Sequence, residues 1–456
     1  MGYAMGVTDL GCFKAYDIRG KVPEALDADL AYRIGLAFVA ELGARSVVVG
    51  EDVRLESPAL AAALRRGLCD GGADVLDLGL CGTEEVYFAT FHHNSDGGIM
   101  VTASHNPKGY NGMKLVAQGA RPVSGDSELG AIRARIARGE LPVAAQPGVV
   151  RAMRDKAAYV AHVQGYVARE RLRPLRLVMN PGNGAAGAVI RQLCEGLPFE
   201  CHFVHETPDG HFPHGVPNPL LPENRAATSE AVVALGADLG IAWDGDFDRC
   251  FLFDEQGRFI EGYYLVGLLA ESLLAKRPGE KIIHDPRLVW NTVEQVTAAG
   301  GVAVQSKTGH AFIKARMRAE DALYGGEMSA HHYFREFAYC DSGMIPWLLV
   351  AELIGHSGKP LSQWVNERMR AFPCSGELNY TVTDSAAVLA RIEAHYAPLA
   401  PEVDRTDGLG LAFAQWRMNV RASNTEPLLR LNVESRGDMA LVEEKVREVE
   451  GLIAAG

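Results

Sequence analysis

Short apolar runs alternate with longer helical stretches along most of the chain. Ser46–Gly50, Asp74–Leu78 and Gly98–Val101 are rich in Val, Leu, Ile or Met, a pattern that is typical of buried strands. Pro58–Cys69, between the first two runs, is rich in Ala, Leu and Arg and predicts a helix. This alternation of strands and helices predicts a parallel sheet that is covered by helices.

The same plan recurs twice further along the chain. Leu175–Met179 and Ala237–Trp243 predict strands of a second unit, and Lys281–His284, Val302–Gln305 and Ala322–Tyr324 predict strands of a third. Helical stretches separate these strands. We therefore expect an α/β protein with three related α/β domains, whose sheets are mixed and mostly parallel.

The pattern changes from about residue 370. Glu377–Thr383 alternates between polar and apolar residues, as a half-exposed strand does. Leu411–Val420 and Leu428–Glu434 are expected to pair as antiparallel strands, and Met439–Ile453 predicts a helix. A smaller C-terminal α+β domain follows from this change.

Length and composition limit the kinds of protein that the chain encodes. A chain of 456 residues exceeds a single hydrophobic core, and its 48% hydrophobic and 22% charged content is ordinary for a soluble globular protein. A formal net charge of −12 argues against binding to nucleic-acid backbones or anionic membranes. The predicted domains cover residues 1–150, 151–255, 256–369 and 370–456.

Cysteine spacing and hydropathy indicate the compartment. The eight cysteines are scattered without a Cys-x-x-Cys pair, which favours reduced thiols over disulfides or a zinc site. The N-terminus lacks a secretory pattern, and the apolar stretch Ile345–Ile354 is too short to span a bilayer. We expect a cytoplasmic monomer or homodimer that acts on a small molecule.

The stretch that follows the Gly98–Val101 run carries the first candidate for chemistry. Pro107 lacks a backbone N–H and prevents the strand from continuing. Ser104 therefore lies at the exposed end of a strand, beside His105, and Lys114 follows in the next apolar run. Taken alone, this stretch also fits an ordinary polar turn.

Three aspartates form the second candidate site. Asp244, Asp246 and Asp248 follow a predicted strand at alternate positions, and such close like charges require a cation. Carboxylate oxygens suit Mg²⁺, Mn²⁺ or Ca²⁺ and leave room for a phosphate oxygen. An EF-hand is excluded because Arg249 replaces the required Gly and Cys250–Phe253 predicts a strand.

Two further polar loops suit a phosphosugar. Glu327, Ser329 and His331 alternate, so an extended segment would point them to one side, toward vicinal sugar hydroxyls. A solvated turn is the alternative for this loop. The last loop combines a guanidinium with short polar side chains that fit a phosphate dianion without metal, namely Arg421, Ser423, Asn424 and Thr425. Additional groups that fit an anion site or its surroundings are Tyr16, Arg19, Arg287 and His310.

These motifs, in this order, resemble the signature loops of the α-D-phosphohexomutase superfamily. The matching stretches are Thr102–Pro107, Asp244–Arg249, Gly326–His331 and Arg421–Glu426, and the resemblance covers essentially the whole chain. The third loop is similar to the phosphomannomutase/phosphoglucomutase branch, because phosphoglucosamine mutases usually carry Gln where Met328 stands. The resemblance implies four domains around a central cleft, each of which contributes one loop.

The resemblance also implies roles for the candidate residues. Ser104 would be a phosphoserine, one oxygen of which joins Asp244, Asp246 and Asp248 around Mg²⁺. The sugar O3 and O4 would bind to Glu327 and Ser329, with His331 beside them. The non-reacting phosphate would bind to Arg421, Ser423, Asn424 and Thr425. Six further residues match positions that line the cleft in the family, namely Tyr16, Arg19, Lys114, Arg249, Arg287 and His310. Arg287 stands where several relatives carry Lys.

The implied reaction is reversible transfer between mannose 1-phosphate and mannose 6-phosphate, in service of GDP-mannose synthesis. Ser104 would donate its phosphoryl group to form a hexose 1,6-bisphosphate, which also activates the enzyme. Lys114, or alternatively His105, is our hypothesis for the proton acceptor. Three other readings stay open: a dual-specificity phosphoglucomutase, a metal-dependent sugar phosphatase and a non-catalytic phosphosugar-binding protein.

Overall fold

The computed structural model describes residues 10–125, 127–422 and 428–455. The chain divides into two compact units. Unit 1 comprises Met1–Phe259 and Glu336–Ser357, and unit 2 comprises Ile260–Arg335 and Gly358–Gly456. Within the described part of the chain, the helices are all too short or too polar to cross a membrane.

Unit 1 begins with a mixed sheet in the order β1-β5-β4-β2-β3-β7, with β6 paired to β5. Strands β4, β2, β3 and β7 run parallel, whereas β1 and β6 pair antiparallel with β5, which is itself antiparallel to β4. The strands are β1 Ile18–Lys21, β2 Ser46–Glu51, β3 Asp74–Leu80, β4 Gly97–Val101, β5 Tyr110–Ala117, β6 Arg121–Pro122 and β7 Val150–Ala152. The helices are α1 Ala28–Leu42, α2 Ser57–Asp70, α3 Thr83–His92 and α4 Glu128–Arg138.

The central strand of this sheet is covered on both faces. Val47 and Val49 of β2 belong to the large core that also contains residues of α1, α2 and α4. Val48 points to the opposite face, where it packs with Val86 of α3 and Met100 of β4. Burial on both faces explains why β2 reads as a continuous apolar run rather than an alternating one.

A second sheet of unit 1 has the order β11-β10-β8-β9. Strands β10, β8 and β9 are parallel, and β11 returns antiparallel to β10. The elements of this part are α5 Ala157–Gln164, β8 Leu175–Asn180, α6 Ile190–Cys194, β9 Phe199–Phe203, α7 Ala226–Leu235, β10 Leu239–Trp243 and β11 Cys250–Phe253.

Unit 2 begins with a sheet whose strands lie in the order β13-β12-β14-β15. Its first three strands are parallel and β15 is antiparallel to β14. The elements are α8 Gly262–Lys276, β12 Lys281–His284, α9 Trp290–Ala298, β13 Val302–Gln305, α10 His310–Glu320, β14 Tyr324–Gly326 and β15 His332–Phe334. The chain then contributes β16 Cys340–Asp341 and α11 Ile345–Ser357 to unit 1.

The C-terminal part of unit 2 is an antiparallel sheet in the order β17-β21-β20-β19-β18. Its side chains pack with helices α13 and α14 around a core that includes Leu409, Leu431 and Val449. The elements are α12 Leu361–Ala371, β17 Leu378–Thr381, α13 Ser385–Tyr396, β18 Glu402–Asp404, β19 Leu409–Ala412, β20 Trp416–Ala422, β21 Leu428–Ser435 and α14 Met439–Ala454.

The predicted fold class is confirmed, because three mixed sheets with parallel centres are followed by an antiparallel sheet with helices. Several predicted strand bounds differ from the structure; β10, for example, begins at Leu239 and not at Ala237. Ala322 does not begin β14, since its N–H bonds to the carbonyl of Met317 and thereby ends α10. The predicted strand Leu411–Val420 is two strands, separated by a turn in which the Phe413 N–H bonds to the carbonyl of Trp416. The four domain boundaries stay predictions.

Candidate functional site

Ser104 lies just beyond the end of β4 and is held in an uncommon backbone conformation. Its φ is +47°, in the left-handed region that few non-glycine residues adopt, and the residue is only 3% exposed. Its N–H donates to the Thr102 hydroxyl at 2.9 Å, and that hydroxyl donates to Asp52 at 2.7 Å. Such strain persists only where surrounding contacts over-determine the conformation, and it is frequent at functional sites.

Arg54 supplies most of the contacts that hold this loop. Its guanidinium is buried and donates to four backbone carbonyls around the serine. Nη2 lies 2.9 Å from the carbonyl oxygen of Ser104 and 2.6 Å from that of Asn106. Nη1 lies 3.1 Å from the carbonyl oxygen of Pro107 and 2.9 Å from that of Tyr110. One side chain therefore sets the shape of the whole Ser104 loop.

The three aspartates lie directly beside Ser104. They follow β10, and one oxygen from each of Asp244, Asp246 and Asp248 lies within 4.8 Å of the others. The Ser104 hydroxyl donates to Asp244 Oδ2 at 2.7 Å. This approach depends on Gly245, since a Cβ there would lie 2.6 Å from the carbonyl oxygen of Ser104.

The aspartates are buried and face two cations. Lys114 Nζ lies 2.7 Å from Asp246 Oδ2 and also contacts Asp248. Arg249 Nη2 donates to Asp244 Oδ2 at 2.8 Å. Burial opposes the charge of Lys114, but the aspartates outweigh burial and raise its pKa. Burial also opposes the charge of Asp246, yet Lys114 lowers the pKa of that carboxyl below its usual range.

The donor set of this cluster fits a divalent cation. Oδ1 of Asp246 is buried and has no hydrogen-bond partner among the residues that the structure describes. A buried carboxylate oxygen without a donor is costly unless an ion or water completes it. Together with Asp244 and Asp248, Asp246 forms the oxygen-rich environment that Mg²⁺ prefers. Asp246 is further oriented by Thr83, whose hydroxyl donates to its Oδ2.

His105 is engaged by Arg249 rather than poised to receive a proton. Arg249 Nη2 contacts His105 Nδ1, and the Ser104 hydroxyl oxygen lies 3.1 Å from the same nitrogen. Burial and the charge of Arg249 lower the pKa of His105 well below its usual value. Because Nδ1 has one lone pair and a guanidinium is only a donor, the lone pair accepts from Arg249.

Arg19 approaches the same loop from β1. Its Nη1 donates to the Asn106 side-chain oxygen at 2.8 Å, and its Nη2 pairs with Asp17. Tyr16 is half-buried and lies just before β1. Unit 1 thus brings together Ser104, His105, Lys114, Asp244, Asp246, Asp248 and Arg249, with Arg19 attached through Asn106.

The predicted sugar loop of unit 2 is a tight turn and not an extended segment. The N–H of Glu327 bonds to the carbonyl of His331 at 2.9 Å, and Ala330 has a φ of +71°. The turn joins the antiparallel strands β14 and β15. The extended conformation on which the argument from alternation rested was therefore wrong, because the chain reverses its direction in this turn. Ser329 and His331 are half-buried.

Glu327 is the buried member of this turn. Its carboxylate accepts from the Tyr333 hydroxyl and, at 3.1 Å, from the N–H of Gly309, which precedes His310 at the start of α10. Arg287 Nη2 lies 3.6 Å from Glu327 Oε2 and 3.3 Å from the Ser329 hydroxyl oxygen. These contacts bring Arg287 and the turn together within unit 2.

Arg287 and Arg421 meet at a carboxylate that the sequence argument did not include. Glu377 Oε2 lies 3.2 Å from Arg287 Nη1 and 3.4 Å from Arg421 Nη2. Arg421 and Ala422 are the last two residues of β20. The predicted phosphate ligands that follow them, Ser423, Asn424 and Thr425, lie outside the described residues. Arg287 is oriented on its other side by Asp285, at 2.7 Å from Nη2.

Comparison with known protein families covers nearly the whole chain. Four domain models described as phosphoglucomutase/phosphomannomutase match it: domain I at residues 11–142, domain II at 157–257, domain III at 261–372 and the C-terminal domain at 377–451. The chain belongs to this family. It is therefore an enzyme of the phosphohexomutase kind, an intramolecular phosphotransferase.

Individual relatives agree with the family models. The chain is 60% identical to a Salmonella typhimurium protein named phosphomannomutase over 454 residues, which cover 98% of this chain and 100% of the relative. It is 60% identical over 445 residues to a Xanthomonas campestris protein named phosphohexose mutases, with 97% and 99% covered. A crystal structure of a phosphoglucomutase/phosphomannomutase family protein from Burkholderia thailandensis matches with a TM-score of 0.88 at 32% identity, covering 98% of each chain.

Sequence reasoning missed several residues of the two sites. Arg54 and Asp52 directly follow β2, which is parallel to β4, so their place at the carboxyl edge of the sheet was a usable signal. Asp285 likewise follows β12. Thr83 and Glu377 carried no comparable signal, because a lone Thr at a helix start and a lone Glu before a strand are common in proteins.

Proposed function

We propose that this protein is a phosphomannomutase, which interconverts mannose 1-phosphate and mannose 6-phosphate. The observation that carries the proposal is the near-full-length similarity to relatives named phosphomannomutase. The geometry supports it, since a strained buried serine 2.7 Å from a carboxylate cluster suits a phosphoryl carrier beside a cation. The cluster of Arg287, Arg421 and Arg430 in unit 2 suits a second phosphate, because guanidinium groups bind phosphate without metal.

In this proposal, Ser104 carries the phosphoryl group in the resting enzyme. The carboxylates of Asp244, Asp246 and Asp248 would hold Mg²⁺ together with an oxygen of that group. Bound Mg²⁺ would neutralise charge on the transferring phosphoryl group, the main requirement of this chemistry. Arg249 keeps Asp244 in place for this purpose.

The unit 2 residues bind the sugar and the phosphate that does not react. Glu327 and Ser329 form hydrogen bonds with the sugar O3 and O4. The carboxylate of Glu327 accepts from the sugar hydroxyls, and the hydroxyl of Ser329 can both accept and donate. Phosphate is bound by Arg421, with Ser423, Asn424 and Thr425 as its proposed neighbours. The remaining proposed contacts with substrate are those of Arg287, His310 and His331. Tyr16 and Arg19, which belong to unit 1, are also proposed to contact the substrate. A guanidinium binds a phosphate dianion through charge-assisted hydrogen bonds and so needs no metal.

The reaction proceeds by two phosphoryl transfers. The free sugar hydroxyl attacks phosphorus, the bond from phosphorus to Ser104 Oγ breaks, and a hexose 1,6-bisphosphate results. That bisphosphate then reorients in the site. Its other phosphoryl group is transferred to Ser104 Oγ by the reverse of the first step. We propose Lys114 as the acceptor of the hydroxyl proton, a role for which it must first give up its own ammonium proton to water and leave its ion pairs with Asp246 and Asp248. His105 is the weaker candidate, because Arg249 already engages its Nδ1.

We also propose that free hexose 1,6-bisphosphate activates the enzyme, that it works in the cytoplasm as a monomer or homodimer, and that it supplies mannose 1-phosphate for GDP-mannose and polysaccharide synthesis. These proposals rest on the resemblance to bacterial relatives and on the substrate proposed above. Mass measurement of the purified protein in solution tests the oligomeric state.

The test is a comparison of kcat/KM for mannose 1-phosphate and glucose 1-phosphate, with glucose 1,6-bisphosphate as activator. We expect turnover of mannose 1-phosphate to the 6-phosphate without net phosphate release. Equal rates for the two sugars would replace the proposal with a dual-specificity enzyme. Release of inorganic phosphate would indicate a phosphatase, and binding without turnover or protein-bound phosphate would indicate a phosphosugar-binding protein.

A further inference from the structure

Three arginines of unit 2 converge on the single carboxylate of Glu377. Besides its contacts with Arg287 and Arg421, Glu377 accepts from Arg430, whose Nη1 lies 3.3 Å from Oε1. Glu377 directly precedes β17, the strand that pairs with β21. Its side chain is 23% exposed, so these contacts lie largely outside bulk water.

The sheet itself forces two of these arginines together. Arg421 of β20 and Arg430 of β21 are directly opposite each other in the antiparallel pair. Like charges at directly opposite positions destabilise a sheet unless an anion lies between them. Glu377 provides that anion, with one oxygen toward each arginine. Burial raises the pKa of Glu377. The opposing charges of Arg287, Arg430 and Arg421 outweigh burial and hold that pKa below its usual range.

Arg421 is held by few other contacts. The second carboxylate near it, that of Asp407, lies 3.9 Å from Nη1. Nε of Arg421 is buried and has no hydrogen-bond partner within residues 10–125, 127–422 and 428–455. The guanidinium therefore depends on Glu377 for its orientation and keeps donor capacity for an incoming anion.

Glu377 also connects this arginine to the sugar loop. Its Oε2 is shared by Arg421 and Arg287, and Arg287 in turn contacts Ser329 and Glu327. The arginine proposed to bind phosphate and the arginine that contacts the sugar loop are thus both bound to Glu377 Oε2. A shift of that atom changes the position of both guanidinium groups.

We propose that Glu377 is a positioning residue for substrate binding, which orients Arg421 toward the phosphate and Arg287 toward the sugar loop. The inference rests on the proposed function, in which Arg421 binds the non-reacting phosphate. Glu377 does not touch the reacting atoms, so its loss acts on binding rather than on phosphoryl transfer. The opposite possibility is that Glu377 competes with phosphate for the arginines.

The test uses Glu377→Gln in the full-length protein, because Gln keeps the size of the side chain and removes its charge. We expect the KM for mannose 1-phosphate to rise about tenfold, the value of one charge-assisted contact, with kcat within roughly threefold of wild type. Glu377→Asp keeps the charge and should recover part of the lost affinity. The matched control is Glu402→Gln, on the exposed edge strand β18 of the same sheet.

Two outcomes overturn the inference. An unchanged KM in Glu377→Gln means that Arg421 does not depend on Glu377, and a lower KM means that Glu377 competes with phosphate. A loss of kcat with unchanged KM would place Glu377 in the chemistry instead. If Glu377→Gln does not fold by circular dichroism, the same comparison is made between wild type and Glu377→Asp, for which a smaller rise in KM is expected and an unchanged or lower KM overturns the inference.

A binding measurement separates this inference from the proposed function. Calorimetry with inorganic phosphate as the probe reads the arginine site without any turnover. If wild type does not convert mannose 1-phosphate, the proposed function fails. Weaker phosphate binding by Glu377→Gln than by Glu402→Gln would still support the role of Glu377, and equal binding would overturn it.

Discussion

Buried charge is arranged in opposite ways in the two units. In unit 1, three aspartates lie together and face two cations, Lys114 and Arg249. In unit 2, the carboxylate of Glu377 faces three arginines. One cluster has more carboxylates than cations. In the other, three guanidinium groups share the carboxylate of Glu377, and Asp285 also pairs with one of them, Arg287.

The difference shows which kind of ion each cluster can accept. Unbalanced buried charge costs several kcal/mol unless a counter-ion completes it. The unit 1 cluster includes an unpartnered oxygen on Asp246 and calls for a cation, whereas the unit 2 cluster includes an unpartnered N–H on Arg421 among the described residues and calls for an anion. A sugar bisphosphate has two phosphates to accommodate, so the contrast supports one phosphate bound with metal and one without.

The largest expected effect is that of Ser104→Ala. Removing the hydroxyl removes the proposed phosphoryl carrier, so turnover of mannose 1-phosphate should fall by roughly 10³-fold or more. Intact mass spectrometry should show no protein-bound phosphate in this variant. The control is Ser357→Ala, on an exposed serine at the end of α11. Activity near that of wild type would show that phosphoryl transfer does not take place at this site of unit 1.

A smaller but still large effect is expected for Asp246→Asn. The substitution keeps the shape and removes one charged ligand, so the Mg²⁺ concentration for half-maximal activity should rise by roughly 10²-fold. We expect Mg²⁺ to raise the melting temperature of wild type and to leave that of the variant unchanged. Asp155→Asn, on an exposed residue, is the control. An unchanged Mg²⁺ requirement would show that the cluster does not hold the cation.

Arg421→Ala tests the anion side of the comparison. Loss of the guanidinium should raise the KM for mannose 1-phosphate by about 10- to 100-fold, in line with one or two charge-assisted hydrogen bonds. The Mg²⁺ requirement should stay as in wild type, since the proposed metal ligands are in unit 1. Arg405→Ala, on an exposed arginine of unit 2, is the control. A change in Mg²⁺ requirement would contradict the separation of the two ion sites.

The last expected effect is on stability rather than activity, at a buried acid that has no cationic partner among the described residues. Glu84 accepts from the hydroxyls of Tyr159 at 2.6 Å and Ser342 at 2.8 Å, and from the N–H of Gly343. Burial raises the pKa of Glu84 from 4.5 to about 8, against these hydrogen bonds. The folded state therefore binds this proton more tightly, and the contribution to stability is present below about pH 4.5 and lost as pH rises through about 8.

Glu84→Gln mimics the protonated acid and should remove this dependence. Between about pH 5 and pH 8, the free energy of unfolding of wild type should fall by a few kcal/mol relative to the variant. Urea unfolding at several pH values measures it, with Glu170→Gln on an exposed residue as the control. Parallel stability curves would mean that the three donors named above keep Glu84 ionised, as the arginines keep Glu377, whose pKa is lowered.

Local pattern determined most of the elements and the residue types of the site. The apolar runs predicted β2, β4, β8 and β10 because a strand buried on both faces needs apolar residues at consecutive positions. The order of Ser104, the aspartates, Glu327 and Arg421 along the chain was also readable, since each follows a predicted strand or lies between two. Fold class and family follow from these features.

Only the tertiary structure decided which of these groups meet and how they are held. Ser104 and Asp244 are 140 residues apart and become neighbours only because two sheets place their loops together within unit 1. Arg54 holds the serine loop through carbonyls, which every residue carries, so the sequence contains no trace of its partners. Glu377 depends on the register of β20 and β21, which sets two arginines side by side. Long-range register and backbone acceptors are properties of the folded chain, and local composition does not encode them.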